Sequence, residues 1–135
     1  MPLQQPHITI RLDAEGRAFV PASTLSGQYW LEGIVPEDLK AVELSILWYT
    51  EGKGEEDLGV HFFRRDSLDQ LTYTAGRWIS SFSTQLPRSP LSYQGVIVKI
   101  VWAVRVRLFL AGGKQYMEEL RFRLGSVWTP KGVSK

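Results

Sequence analysis

Phe82-Ser83-Thr84-Gln85-Leu86-Pro87-Arg88-Ser89-Pro90-Leu91-Ser92-Tyr93 is the stretch that decides the fold. Pro87 and Pro90 have no N–H to give to a sheet ladder. A strand arriving at Phe82 must therefore leave its sheet here, run extended, and begin another strand after Gly95. On the upstream side Trp78, Phe82 and Leu86 share one face, with Ser80 and Thr84 between them. On the downstream side Val96, Val98, Ile100, Trp102, Val104, Val106, Leu108 and Leu110 alternate without a break, the period of a strand with one buried face. Two alternating runs joined by a proline-punctuated crossing predict two sheets.

Downstream, Gly112 and Gly113 turn the chain, and Tyr116, Leu120, Phe122 and Leu124 return. A loop of odd length keeps even positions opposite even ones, whereas a two-residue loop would set apolar against charged side chains. A three-residue loop of Gly112, Gly113 and Lys114 pairs Val106 with Leu120 and Val104 with Phe122. The outer face then opposes Arg107 to Glu119 and Arg105 to Arg121, with Lys99 and Arg123 further along.

Upstream the same period recurs. Ile8, Ile10 and Leu12 alternate with His7, Thr9 and Arg11, and Asp13 to Gly16 turns the chain. A short strand around Arg17 to Pro21 leads to Ser26 to Val35, with Tyr29 and Leu31 opposite Trp30 and with Gly27 and Gly33 marking bulges or close backbone approaches. Pro36 to Leu39 makes a turn. Val42, Leu44, Ile46 and Trp48 then form a core strand face. Leu58, Val60 and Phe62 alternate against His61 and Phe63, and the polar stretch Arg64 to Ala75 is the least readable. No segment has a helical period. The expectation is an all-β, two-sheet antiparallel β-sandwich over residues 7–128, with flexible tails at 1–6 and 129–135.

A chain of 135 residues with 44% hydrophobic and 22% charged residues fits one globular domain with its own core. The absence of cysteine excludes disulfides, thiolate catalysis and Cys-ligated metals. Met1 to His7 does not read as a signal peptide, and Lys99, Arg105 and Arg107 interrupt the most apolar run, so a cytoplasmic protein without a membrane span is expected. The net charge of +2 means that any basic character that matters is local.

Lys99, Arg105, Arg107, Arg121 and Arg123 are the candidate partner-binding residues, gathered on one face of adjacent strands by the register above. Arginine suits bidentate recognition of carboxylates, and like charges opposed across strands need an anion or acidic segment to offset them. The plain alternative is a solvated face flanked by Glu118 and Glu119. Glu51, Glu55, Glu56 and Asp57 read first as a solvated hairpin tip and second as a cation loop, since their spacing departs from the EF-hand pattern. Gly52-Lys53-Gly54 lacks the remainder of a phosphate-binding loop. Two histidines and scattered carboxylates are a thin catalytic inventory, so no catalytic, cofactor or metal site is expected. His61 is the sole candidate base. No aromatic-basic motif of a nucleic-acid binder is present.

Several pieces together resemble the arrestin-like N-terminal domain. The alternating Ile8 strand, the charged turn, Phe19, Pro21 and Leu25-Ser26-Gly27 match its opening. Lys40-Ala41-Val42-Glu43-Leu44 is similar to its strand after the first long hairpin. Phe82 to Pro87 is similar to its Phe-x-x-x-Leu-Pro element, and Pro90 to Tyr93 to the following step into a strand at Val98 to Arg107. The likeness spans about Ile8 to Gly125. Pro21-Ala22-Ser23 stands where the family has Pro-Gly, and the chain is too short for a second sandwich. What the resemblance implies is an immunoglobulin-like sandwich used for protein interaction or scaffolding, without catalysis. Its partner would be a protein, acidic or paired along a sheet edge, and a homo-oligomer could form by the same edge pairing. The competing expectation is a small-ligand-binding sandwich with Trp30, Trp48, Trp78 or Tyr93 lining a pocket at one end.

Overall fold

The computed structural model describes residues 5–14 and 16–125. Most of the expected tails, and the stretch 126–128, lie outside the described residues. Ten strands form: β1 (His7–Leu12), β2 (Ala18–Phe19), β3 (Thr24–Glu32), β4 (Leu39–Gly52), β5 (Leu58–Asp66), β6 (Thr72–Thr74), β7 (Arg77–Gln85), β8 (Tyr93–Gln94), β9 (Val98–Leu110) and β10 (Gln115–Leu124). The smaller sheet runs β1-β3-β7-β6, and the larger runs β2-β10-β9-β4-β5 with β8 against the start of β9. Every pairing is antiparallel except the two-residue pairing of β2 with β10. No α-helix occurs among the described residues, only single 3₁₀ turns.

The alternating apolar residues explain the architecture. Ile8, Ile10, Leu12, Leu25, Tyr29, Leu31 and Phe82 from the smaller sheet meet Val42, Leu44, Ile46, Trp102, Val104, Val106, Leu108, Phe122 and Leu124 from the larger in one buried cluster. The quoted stretch does cross between sheets. β7 ends at Gln85 in the smaller sheet, Leu86 is buried, and Tyr93–Gln94 joins the larger one. Two bonds anchor the crossing: the Trp102 indole N–H donates to Pro90 O at 2.7 Å, and Ser92 N–H donates to Leu124 O at 2.9 Å. Gly27 is required by close approach, because a Cβ there would collide with the Arg11 carbonyl of β1.

Three expectations are corrected. The β9–β10 loop has three residues, but they are Ala111, Gly112 and Gly113, closed by Leu110 N–H donating to Lys114 O at 2.8 Å. The register therefore slips by two: Val104 faces Leu120, Trp102 faces Phe122, Arg105 faces Glu119, and Arg107 faces Met117. Arg105 does not oppose Arg121, which faces Ala103. The slip keeps each face unchanged and replaces a like-charge pair by an opposite-charge one, the favourable arrangement. It also brings the Trp102 and Phe122 rings to 5.8 Å, with Phe122 and Phe19 edge to face at 5.5 Å. Second, Val96 does not join the buried face of β9. It sits with Ile97 at the tip of the β8–β9 hairpin, closed by Gly95 N–H donating to Val98 O, and both are exposed. Third, Phe62 does not share a face with Leu58 and Val60, because the β4–β5 ladder shifts between Ile46 and Leu47, opposing Ile46 to Phe62 but Leu47 to Val60. His61 is the extra residue of a bulge that flips the phase of the strand.

Candidate interaction surface

β5 is the last strand of the larger sheet, and among the described residues no strand pairs its outer side. An edge of nine residues offers a row of unpaired N–H and C=O groups. The other stretches of strand left unpaired on one side among the described residues are shorter, the longest being 115–122 of β10, which meets β2 only at Arg123 and Leu124, then six residues in β1 and 80–85 of β7. Beyond the bulge Phe62, Arg64 and Asp66 point between the sheets, opposite Ile46, Leu44 and Val42. Phe63 and Arg65 point outward, and before the bulge so do Leu58 and Val60. Leu58, Val60 and Phe63 are about half exposed, at 52%, 53% and 54%. Gly59 lies against the Trp48 indole, which occupies the space any Cβ would need.

The inward side of β5 is pinned by a polar cluster absent from the sequence-based candidates. The carboxylate of Asp66, 2% exposed, accepts from Tyr29 Oη at 2.5 Å, from Arg64 Nε at 2.8 Å and from Arg64 Nη2 at 3.0 Å. Arg64 also donates to Ser80 Oγ at 2.9 Å, tying the edge of one sheet to β7 of the other. Burial, then the bond to Asp66, push the Tyr29 hydroxyl well above the ordinary tyrosine range. The signal was present: in a strand, Arg-x-Asp puts both side chains on one face within ion-pair reach.

The outer face of the larger sheet carries the expected basic residues, though not as a bare basic patch. Arg105 donates from Nε and Nη2 to Glu119 Oε1 at 3.0 and 2.9 Å. Tyr49 Oη donates to the other oxygen of Glu119 at 2.5 Å, and Arg121 pairs with Glu51 at 2.6 Å. Burial and the Glu119 bond raise the Tyr49 hydroxyl, while the bond to Glu51 raises the Arg121 guanidinium against some desolvation. Arg65 pairs with Glu43 at 2.5 Å, and Arg107 stands next to Glu43 in register. Lys99, Arg107 and Arg123 form no ion pair among the described residues. Lys99, Arg121 and Arg123 meet at a small cleft of about 190 Å³ where β10 parts from β9 beside Tyr93.

The remaining candidates are dispersed. Of the expected 51–57 loop, Glu51 instead belongs to β4, opposite Lys99, and is engaged by Arg121, while Asp57 accepts from the N–H of Leu58. No three His, Asp or Glu side chains gather as metal ligands among the described residues. His61 Nε2 lies 2.7 Å from Gln85 O, and no carboxylate among the described residues is bonded to it, so the bulge histidine links the sheets. The four aromatic candidates for a ligand pocket do not converge. Trp30 is covered by the Arg77 guanidinium at 5.0 Å, Trp78 packs on Tyr73, Trp48 covers Gly59, and Tyr93 stands at the β9–β10 cleft.

No family model and no curated protein sequence matches the chain. Among solved structures, Spo0M, a sporulation control protein from Bacillus subtilis, is similar with a TM-score of 0.65 and 16% sequence identity over 90% of this chain. The match covers 49% of Spo0M, so this chain spans about half of that protein's length. At this identity the likeness is one of fold: the chain is an all-β, two-sheet sandwich of the arrestin-like kind. No helix among the described residues is long and apolar enough to cross a membrane.

Proposed function

We propose that this chain is a non-enzymatic interaction or scaffolding module that takes up an extended protein segment along the free edge of β5. The observation that carries the reading is the edge itself: nine residues of strand whose outer side no strand pairs among the described residues, with Leu58, Val60 and Phe63 half exposed on one face. An added strand gains main-chain hydrogen bonds from such an edge and reads alternate side chains along it. Spo0M is a sporulation control protein, and a regulatory or scaffolding role is what we carry over from it. The compartment we propose is the cytoplasm, in keeping with a cysteine-free composition.

The edge is preferred to the basic face as the main binding element. Arg105 and Arg121 already hold Glu119 and Glu51, and a partner's carboxylates would have to displace them. Lys99, Arg107 and Arg123 remain as contacts that steer an acidic segment toward the sheet.

The test is selection of binding peptides from a displayed library, followed by hydrogen exchange on the complex. Protection of the β5 amides, lost in the Val60→Lys, Phe63→Lys double variant, supports the reading. Peptides that bind this variant equally well and protect another strand overturn it.

A further inference from the structure

We propose that the β5 edge pairs antiparallel with β5 of a second copy of this chain around a two-fold axis, joining the two larger sheets into one. The inference rests on the reading of β5 as the interaction edge and commits it to a single occupant.

The bulge makes the pairing self-complementary. Opposed residues of an antiparallel pair point to the same face, so a regular strand pairs with its own copy only in registers that keep parity. At His61 the phase flips, and Leu58 and Phe63, five residues apart, lie on the same outer face. A register that sets Leu58 against Phe63 of the second copy therefore matches faces at both ends of the strand. It sets Gly59 against Phe62, and at the centre the two bulges meet, with outward Val60 beside inward His61, so the match of faces is carried by the pairs on either side. The half-exposed Leu58 and Phe63 then cover each other twice across the axis.

Charge points the same way. Glu55-Glu56-Asp57 precede the strand and Arg64-Arg65 lie near its end. Antiparallel pairing in this register carries Asp57 to Arg64 and Glu56 to Arg65 of the second copy, whereas parallel pairing would lay acid beside acid and base beside base. Arg64 is held inward by Asp66, so the informative contact is Glu56 with Arg65, whose side chain, though paired with Glu43, is 55% exposed and has donors left for a second carboxylate. Six opposed residues per copy fall below the roughly 1,200–2,000 Å² of stable interfaces, which places the pairing among weak, reversible associations.

With no native cysteine, single cysteines report the register directly. Leu58→Cys and Phe63→Cys proteins, mixed and treated with a short thiol cross-linker, should give a linked dimer. Neither alone should, because like positions would lie about 17 Å apart. In sedimentation velocity across the micromolar range, Glu56→Arg and Arg65→Glu should each weaken dimerisation about tenfold, and the double variant should restore it. All these positions are exposed, so the variants should fold. A monomer at every concentration overturns the proposal, and so does a dimer that cross-links equally in the single-cysteine samples or ignores the charge exchange. If the monomer still binds selected peptides on β5, the edge reading survives and only the occupant is wrong.

Discussion

Replacing Asp66 with alanine tests how the edge strand is held. The carboxylate is 2% exposed and accepts three short bonds, one from Tyr29, which is fully buried, and two from Arg64. Its loss strands a buried hydroxyl, costing about 1–3 kcal/mol. A fully buried partner charge left alone would cost about 3–5 kcal/mol. Arg64, however, has 32% of its side chain in solvent and keeps Ser80, so water offsets most of that penalty and about 1 kcal/mol remains. The sum is about 3 kcal/mol, or about 10 °C in Tm for a domain of this size. Asp66→Asn keeps an acceptor for Tyr29 and loses only the ionic part, about 1–1.5 kcal/mol. Tyr29→Phe leaves Asp66 with both Arg64 bonds and should cost about 1 kcal/mol. Urea unfolding followed by tryptophan emission should rank the variants in that order, and a Tyr29→Phe, Asp66→Ala cycle should show coupling of about 1 kcal/mol. An Asp66→Ala midpoint equivalent to a loss below about 0.5 kcal/mol, the scatter of ordinary surface changes, would refute the assignment of this cluster as the tie between the sheets.

The same cluster predicts an alkaline limit. Tyr29 ionises well above its ordinary range in the folded state, so its contribution is complete below about pH 10, where an unfolded tyrosine titrates. It is lost as pH climbs further, at up to about 1.4 kcal/mol per pH unit, and Tyr29→Phe should flatten that slope in pH-dependent urea titrations. Gly27→Ala should destabilise by about 3 kcal/mol or prevent folding, since its methyl meets backbone of β1 that cannot swing aside; soluble yield and thermal melting read the outcome. Arg105→Glu should cost about 1 kcal/mol in the same melts by setting like charge against Glu119, and Glu119→Arg added to it should recover most of the loss. Peptide binding on β5 should fall less than tenfold between low and physiological salt, whereas a steep salt dependence would return the basic face to first place.

Period-two apolar runs specify which side chains are inside, and that is why β1 at His7–Leu12 and the buried face of β9 from Trp102 to Leu108 could be read directly from the chain. They specify pairing only to within two residues. Loops at 111–113 and 112–114 bury the same side chains, so alternation alone cannot choose between them. Cross-strand charge can: one loop opposes Arg105 to Glu119 and the other opposes it to Arg121. The basic candidates thus lie on one face, as read, but two of them are engaged by carboxylates: Arg105 by Glu119, which the other register sets against Arg107, and Arg121 by Glu51, read in the sequence as part of a solvated loop. The bulge left its mark as adjacent Phe62 and Phe63, a break in the alternation that a strand with one buried face should not show. Arg64 and Asp66 were legible as a same-face pair, but the rest of the cluster was hidden, because Tyr29 and Ser80 come from the other sheet and only the packing of the two sheets brings them within reach.

Edge and face are therefore not equivalent routes to a partner. On the outer face the charges answer one another: Arg65, Glu43 and Arg107 lie in one row, and Arg105, Glu119, Tyr49, Arg121 and Glu51 are linked in another. A partner must exchange these contacts for new ones, with little net gain. Along the β5 edge only Arg65 faces such an exchange, because among the described residues no strand pairs the outer amides and carbonyls, and the half-exposed apolar residues gain by being covered. Bulges usually guard an edge by spoiling its match to a passing strand. Here the bulge spoils the match to a regular strand but restores it for a strand with the same phase flip, and β5 of a second copy is one. On the proposed pairing, the feature that disfavours a regular strand favours one with the same flip, which would make the edge discriminating as well as open.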